Sequence, residues 1–152
     1  MMHKKPKFPV LDGKNLRIGI VVARWNNELT YALKDDAIKG LLDANVLEKN
    51  IIVQDVPGAY ELVFGAKRMI AHHNVDAVIC IGILIKGETY HFEYISEAVT
   101  NGIMNLSLTT DIPVVYGILN TKTLEQATIR STGAMNHGYD WGKTAVEMGL
   151  KR

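Results

Sequence analysis

The sequence predicts an α/β protein, a three-layer α/β/α sandwich built around a four-stranded parallel sheet. Two observations lead to this prediction. Four short runs rich in Ile and Val lack polar alternation, as do strands that are buried on both faces of a sheet. Segments with the spacing of amphipathic helices separate these runs, and strands that alternate with helices form parallel sheets with right-handed crossovers.

The predicted strands are residues 16–23, 51–56, 77–85 and 114–118, all of which we expect to be buried on both faces. After each of the first three strands, apolar residues recur at helical spacing. These residues are Leu29, Leu33, Ala37, Leu41 and Ala44, then Leu62, Ala66 and Met69, then Phe92, Ile95, Val99, Ile103 and Leu106.

Two shorter helices are predicted after the fourth strand. Thr123 and Gln126 have the spacing of a capping box, which favours a short helix that ends near Arg130. Asp140 is the predicted N-terminal cap of a last helix, with Trp141, Ala145 and Met148 on one face. No repeat, low-complexity segment or linker marks a second domain, so we expect residues 1–152 to form one domain with residues 1–14 as an N-terminal tail.

Composition and charge restrict the class of protein. With 47% apolar and 22% charged residues among 152, the chain has ordinary globular composition. A net charge of +1 argues against a nucleic-acid partner, which needs a strongly basic surface. No apolar stretch is long enough for a membrane span or a secretory signal, so no membrane partner is expected. The single cysteine, Cys80, lies in an apolar run, which predicts a buried, inert thiol and a cytoplasmic location.

Residues 82–94, GILIKGETYHFEY, join a predicted strand to a predicted helix and suggest an enzyme. Parallel sheets bind ligands beyond the carboxyl ends of their strands, and a helix N-terminus there attracts phosphate. His91, expected one turn into that helix, can transfer protons near neutral pH. The spacing of Gly82 and Gly87 matches a nucleotide-binding P-loop, but Glu88 replaces the lysine that such a loop needs. The chain also lacks the G-x-G-x-x-G of dinucleotide-binding folds.

Other candidate residues follow the remaining strands, and each also has a structural interpretation. Trp25 follows the first strand and is either a surface residue or a platform for a flat ligand. Glu61, expected in the first turn of the second helix, either complements the helix dipole or binds a ligand, and the same choice applies to Arg130 at a helix C-terminus. With residues 116–120 closing the fourth strand, we expect these groups to converge at one rim of the sheet.

Four motifs in this order resemble the lumazine synthase family: ARWN at residues 23–26, VPGAYEL at 56–62, GILIKGETYHFEY at 82–94 and NHGYDWGKTAVEMG at 136–149. The similarity extends from about residue 16 to residue 150. It implies a flavodoxin-like fold and a transferase of riboflavin biosynthesis without cofactor or metal. The implied reaction condenses 5-amino-6-(D-ribitylamino)uracil with 3,4-dihydroxy-2-butanone 4-phosphate to 6,7-dimethyl-8-ribityllumazine, and it releases phosphate and water.

The resemblance also implies roles for individual residues. Trp25 matches the aromatic residue that stacks on the pyrimidine, and His91 matches the histidine that transfers protons. The ribityl chain would be held by Ala59, Tyr60 and Glu61, the uracil edge by the backbone of Ile83, Leu84 and Ile85, and the phosphate by Gly87, Glu88 and Thr89. Tyr116 and Arg130 match groups donated by a neighbouring subunit. Asn26, Gly58, Lys86 and His137 are also expected to line the substrate pocket.

Because the implied site is shared between subunits, the resemblance implies a homo-oligomer, either a pentamer or a sixty-subunit shell of pentamers. Riboflavin is a further candidate ligand of the same pocket. Two other classes of protein stay open on the sequence alone: a non-catalytic flavin or lumazine carrier, and a flavodoxin-like redox protein. His91 beside a phosphate-binding junction favours the enzyme, because a carrier needs no proton transfer.

Overall fold

The computed structural model describes residues 4–152, so the first three residues of the predicted tail lie outside the described part. Four parallel strands form one sheet in the order β2-β1-β3-β4. They are β1 (Ile18–Ala23), β2 (Ile51–Val56), β3 (Ala77–Ile85) and β4 (Val114–Thr121). The strands β1 and β3 are central, and β2 and β4 are the two edges.

Five α-helices cover the sheet: α1 (Asn27–Asp43), α2 (Leu62–His73), α3 (His91–Thr110), α4 (Leu124–Ser131) and α5 (Gly138–Lys151). Side chains from alternate positions of the strands point to opposite faces. Ile18, Ile20 and Val22 pack in one core with α1, α4 and α5, whereas Val21 and Ala23 pack in a second core with α2 and α3. The architecture is the predicted three-layer α/β/α sandwich, of the flavodoxin-like kind.

The prediction that all four strands are buried on both faces is wrong for β2. Val53, Gln54 and Asp55 in the middle of this strand are exposed, whereas every residue of β1 is buried. The cause is the position of β2 at the edge of the sheet, where the flanking helices cover it only in part. Its Gln54 and Asp55 are the polar residues of that run, and Asp55 pairs with Arg24 at 2.9 Å.

The predicted cap of α5 is also wrong. The helix begins at Gly138, so Asp140 lies inside its first turn. The buried side chain of Asn136 performs the capping: its Oδ1 accepts from the backbone N–H of Gly138 at 2.8 Å, and its Nδ2 donates to the carbonyl of Ser131 at 2.7 Å. In α4 the predicted cap is confirmed, because Thr123 Oγ1 accepts from the N–H of Gln126 at 3.1 Å.

Glycines allow α1 and α5 to pack backbone against backbone. A Cβ atom on Gly142 of α5 would lie 2.4 Å from the carbonyl oxygen of Ala37, and one on Gly138 would lie 2.1 Å from that of Leu33. In α1, a Cβ on Gly40 would lie 2.3 Å from the carbonyl oxygen of Tyr139. These distances leave no room for a side chain, so the glycines set the position of α5 beside the sheet.

Cys80 lies at the centre of β3 and is fully buried, as predicted. Burial raises the pKa of its thiol to about 12, because a thiolate in this apolar core would lose its hydration. The segment before β1 is partly packed: Leu11 is buried, and the N–H of Gly13 donates to the carbonyl of Ala44. No helix among residues 4–152 is long and apolar enough to cross a membrane.

Candidate active site

Two sets of the predicted site residues lie in different parts of the fold. We call the first the rim set, because its members lie at or just beyond the carboxyl ends of β1, β2 and β3. It consists of Trp25, Asn26, Gly58, Ala59, Tyr60, Glu61, Ile83, Leu84, Ile85, Lys86, Gly87, Glu88, Thr89 and His91. The second set lies along the free edge of β4 and consists of Tyr116, Arg130 and His137.

The segments that follow β1 and β2 are tied together by their backbones. The N–H of Arg24 donates to the carbonyl of Val56 at 2.8 Å, and that of Trp25 donates to the carbonyl of Pro57 at 3.0 Å. Asn26 then takes a left-handed conformation, with φ of 62°, at the start of α1. The chain turns sharply there, and the side chain of Trp25 stays 75% exposed. Packing in the core therefore does not explain this tryptophan.

Residues 58–61 connect the end of β2 to the start of α2. Ala59, Tyr60 and Glu61 form a short 3-10 helix before α2, so Glu61 precedes that helix and does not lie in its first turn as predicted. Ala59 is buried, and a Cβ on Gly82 of β3 would lie 3.4 Å from the Ala59 Cβ. A Cβ on Gly58 would lie 3.6 Å from Glu61 Oε1, so the Glu61 carboxylate folds back over this glycine.

The last residues of β3 have a backbone edge that no neighbouring strand covers. The ladder between β1 and β3 ends at the pair Val22 and Ile81, whereas the ladder between β3 and β4 continues to the pair Ile85 and Thr121. Residues 83–85 therefore extend beyond the end of β1, on the side where Trp25 emerges. Backbone N–H and C=O groups on this edge can pair with the hydrogen-bonding edge of a flat ligand.

The loop between β3 and α3 is exposed from Lys86 to Tyr90. His91 is the first residue of α3, not one turn into the helix as predicted, and its N–H lies 3.4 Å from Thr89 Oγ1. A Cβ on Gly87 would meet no atom within 4 Å, so this part of the loop is open to an incoming group. The free N–H groups of the first turn of a 20-residue helix thus face the loop that carries Thr89.

An ion pair between Lys86 and Glu93 joins the two ends of this loop. The ammonium of Lys86 pairs with the carboxylate of Glu93 in the first turn of α3. The hydrogen bond from Lys86 is the main reason why the pKa of Glu93 lies below its ordinary value. The carboxylate of Glu93 neutralises the charge of Lys86, and Glu88 adds a further negative charge. The loop therefore has no net positive charge that would attract a phosphate.

The second set lines an open groove, which we call the edge groove. It has a volume of about 590 Å³ and wraps over the free edge of β4, with Asn120, Lys122, Gln126 and Trp141 beside Tyr116, Arg130 and His137. Residues 116–120 lie inside β4, which continues to Thr121. Tyr116 pairs in register with Cys80 at mid-sheet, so the predicted convergence of Tyr116 with the rim set is wrong for a single chain. Arg130 is exposed, and within residues 4–152 it bonds only its own helix, through the Gln126 carbonyl at 3.0 Å.

His137 lies at one end of the edge groove, with its ring stacked on Trp141 at a centroid distance of 6.1 Å. Partial burial lowers the pKa of His137, and the positive charges of Lys5 and Arg130 lower it further. Lys5 is held there by an ion pair with Asp140 at 3.2 Å. The edge groove therefore carries two cationic side chains, Lys122 and Arg130, with the ion pair of Lys5 and Asp140 near His137.

Sequence reasoning assigned no role to three side chains that shape these sets. Glu93 holds Lys86, Asn136 fixes the start of α5, and Asn120 bonds the hydroxyl of Tyr116. Two signals were present in the sequence: Glu93 falls in the first turn of the predicted helix, and Asn120 lies on the same face of the strand as Tyr116. Among residues 4–152, no group of three or more His, Cys, Asp or Glu side chains is placed to hold a metal ion.

The fold defines a class, the flavodoxin-like α/β proteins, in which ligands bind at the carboxyl ends of the strands. Within this class the chain belongs to the 6,7-dimethyl-8-ribityllumazine synthase family, whose model matches residues 15–152. It is 46% identical over 151 residues to 6,7-dimethyl-8-ribityllumazine synthase of Schizosaccharomyces pombe, and the aligned region covers 97% of this chain and 95% of that protein. The enzyme of the same name from Bacteroides fragilis is 46% identical over 88% of this chain and 94% of its own length. That from Pyricularia oryzae is 38% identical over 99% of this chain and 96% of its own length.

Proposed function

We propose that the protein condenses 5-amino-6-(D-ribitylamino)uracil with 3,4-dihydroxy-2-butanone 4-phosphate to 6,7-dimethyl-8-ribityllumazine, the penultimate step of riboflavin biosynthesis. Membership of the family supports this activity. One observation in the fold carries it: the uncovered backbone edge of β3 lies beside the exposed Trp25 and leads directly into the loop before His91. A flat pyrimidine, a phosphate and a proton-transfer group thus have adjoining places.

The residues have complementary roles in this proposal. Trp25 stacks on the pyrimidine while the backbone of Ile83, Leu84 and Ile85 pairs with its edge. Ala59, Tyr60 and Glu61 hold the ribityl chain, with the Glu61 carboxylate accepting from its hydroxyls. The helix N-terminus and the loop with Gly87, Glu88 and Thr89 bind the phosphate. Asn26, Gly58, Lys86 and His137 complete the pocket wall.

The chemistry requires proton transfers and orientation but no nucleophilic side chain. The 5-amino group attacks the ketone, and the carbinolamine loses water to give an imine. Removal of the proton from the carbon that bears the hydroxyl expels phosphate from the neighbouring carbon, and the resulting enol becomes a ketone. The ribitylamino nitrogen attacks this ketone and closes the ring with loss of a second water. Protons move between nitrogen, carbon and oxygen in these steps, and His91 can carry them. Because both reacting groups belong to the substrates, holding them together supplies much of the rate.

A direct assay tests the activity. Purified protein is mixed with both substrates, and the absorbance of the lumazine and the release of inorganic phosphate are followed together. We expect equal amounts of both products, and a loss of turnover of about 10²- to 10⁴-fold in His91→Ala. His72→Ala, at an exposed position on α2, is the matched control and should keep full activity. Absence of the lumazine with the folded wild-type protein would refute the proposed function.

We further propose that the active protein is a ring of subunits in which the edge groove of one subunit covers the rim set of the next. Charge supports this arrangement. Lys86 is paired with Glu93, and Glu61 and Glu88 add negative charge near the phosphate loop. A bound phosphate therefore needs a cation from elsewhere, and the guanidinium of Arg130 binds phosphate with two parallel hydrogen bonds.

Apolar surface on the helices that flank the rim supports association as well. The side chains of Tyr94, Met104 and Leu108 on α3 are 62–74% exposed, and Tyr60 and Phe64 beside them are 64% and 68% exposed. A large contiguous apolar surface usually marks an interface. We propose a homopentamer, alone or assembled into a sixty-subunit shell. The same pocket is proposed to bind riboflavin, and the buried free thiol of Cys80 is compatible with a cytoplasmic enzyme.

Mixing two inactive variants tests the shared site. In rings assembled at random from equal amounts of His91→Ala and Arg130→Ala chains, about one interface in four combines an intact His91 with an intact Arg130 from next door. We expect activity to return to about a quarter of the wild-type value. A mixture of His91→Ala with the His91→Ala/Arg130→Ala double variant is the control, since none of its interfaces is complete. If mass spectrometry shows subunit exchange and no activity returns, the site is not shared in this way.

A further inference from the structure

Polar side chains from β4 and α3 meet at the hydroxyl of Tyr116. This hydroxyl donates to Asn120 Oδ1, and the Asn120 amide nitrogen donates to Ser96 Oγ at 2.9 Å. Thr100 Oγ1 lies 3.1 Å from the Tyr116 hydroxyl oxygen. Asn120 and Thr100 are exposed, so a need to satisfy polar groups buried in the core does not explain these bonds.

The bonds decide which part of Tyr116 can contact a ligand. A tyrosine hydroxyl has one proton, and this proton is given to Asn120 Oδ1. The Asn120 amide is itself oriented, because its oxygen accepts from Tyr116 while its nitrogen donates to Ser96. The hydroxyl proton is therefore used within the chain, so the hydroxyl cannot donate to a ligand while this bond holds. What Tyr116 contributes to the wall of the edge groove is its ring.

We propose that Asn120 is a positioning residue that holds the ring of Tyr116 in place for the pyrimidine substrate, with Ser96 and Thr100 supporting it from α3. This inference rests on the proposed function, in which Tyr116 completes a neighbour's pocket. Asn120 acts through the Tyr116 hydroxyl and does not contact the substrate. Its effect on substrate binding consequently exists only while that hydroxyl is present.

A double-mutant cycle tests this dependence. The KM for 5-amino-6-(D-ribitylamino)uracil and the kcat are measured for Asn120→Ala, Tyr116→Phe and the variant that carries both. We expect each single variant to raise KM about two- to tenfold, the size of one net hydrogen bond, and the double variant to raise it no further. Tyr116→Ala also removes the ring and should raise KM more than Tyr116→Phe.

Tyr139→Phe is the matched control. Its hydroxyl also bonds a side chain of its own chain, Asp43 Oδ2 at 2.6 Å, but Tyr139 lies outside the edge groove. The same chemical change there should leave KM at the wild-type value. Retention of the assembled state by all variants, measured by analytical ultracentrifugation, shows that a rise in KM does not come from dissociation.

Three results would overturn the proposal. Additive effects of Asn120→Ala and Tyr116→Phe would mean that Asn120 acts independently of the hydroxyl. A loss in Tyr116→Phe far above that in Asn120→Ala would mean that the hydroxyl contacts the substrate. Wild-type KM in all variants would mean that the ring does not contact the pyrimidine. If the wild-type protein makes no lumazine, the proposed function fails. The double-mutant cycle is then repeated with the Kd for the pyrimidine, measured by calorimetry. Absence of pyrimidine binding to the wild type would overturn the role of Asn120 as well.

Discussion

Replacement of Gly142 by alanine tests the close packing of α1 against α5. The new Cβ would lie 2.4 Å from the carbonyl oxygen of Ala37, where ordinary contact begins at 3.4 Å. The neighbouring atom belongs to a helix backbone and cannot rotate away. The two helices must therefore separate by about 1 Å, and forced overpacking of this kind costs about 1–3 kcal/mol.

Gly149→Ala on the same helix is the matched control. The tightest contact of a Cβ there would be the end of the Leu16 side chain at 3.2 Å, which can shift by a few tenths of an ångström, and Asp76 would be at an ordinary 3.8 Å. Both variants gain the same helix propensity, about 1 kcal/mol, so this contribution cancels when the two are compared. We expect the free energy of unfolding of Gly142→Ala to be lower than that of Gly149→Ala by about 1–3 kcal/mol.

Urea unfolding at one fixed protein concentration measures this difference, since subunit association makes the stability depend on concentration. A functional measurement accompanies it. Trp141 and His137 move with α5, so Gly142→Ala should also raise KM in the lumazine assay, whereas Gly149→Ala should not. Equal stability of the two variants would refute the inferred close packing of α1 and α5.

Two further predictions concern pH and ligand stacking. The pKa of His137 in the folded protein lies below its ordinary value of 6.5, because of burial and of the charges of Lys5 and Arg130. As the pH falls below 6.5, His137 therefore binds a proton more readily in the unfolded chain than in the folded one. The free energy of unfolding should therefore decrease below pH 6.5, and His137→Asn should flatten that slope in urea titrations; a slope unchanged by the substitution would contradict this. Trp25→Ala should weaken binding of the ribityl pyrimidine and of riboflavin together, by about 0.5–1.5 kcal/mol beyond the lost area. Equal dissociation constants for the folded variant and the wild type would return Trp25 to the status of a surface residue.

The layer order and all four strands could be predicted because they depend on local patterns. Short apolar runs mark β1, β2, β3 and β4, and the structure extends β4 to Thr121. Which strands form the edges depends on how the crossovers place them in the sheet, and no local pattern contains that information. The expected burial of β2 failed for this reason.

The same distinction applies to the candidate site. Trp25, Glu61 and His91 could be found because each follows a strand, and parallel strands bring their carboxyl ends to one rim. Tyr116 was misplaced because its position relative to the rim depends on the register of β4 against β3. The bond from Tyr116 to Asn120 joins positions on one face of a strand, but its partners on α3 become visible only in three dimensions.

The rate at which a thiol reagent labels Cys80 measures how often the core of a subunit opens. The thiolate is the reactive form of cysteine, and with a pKa of about 12 only about one Cys80 thiol in ten thousand is ionised at pH 8. Burial of the side chain also blocks access of a reagent. A thiol reagent therefore modifies the protein only when the sheet around β3 opens. The dependence of the labelling rate on protein concentration would then show whether the core opens within an intact assembly or only after a subunit has left it.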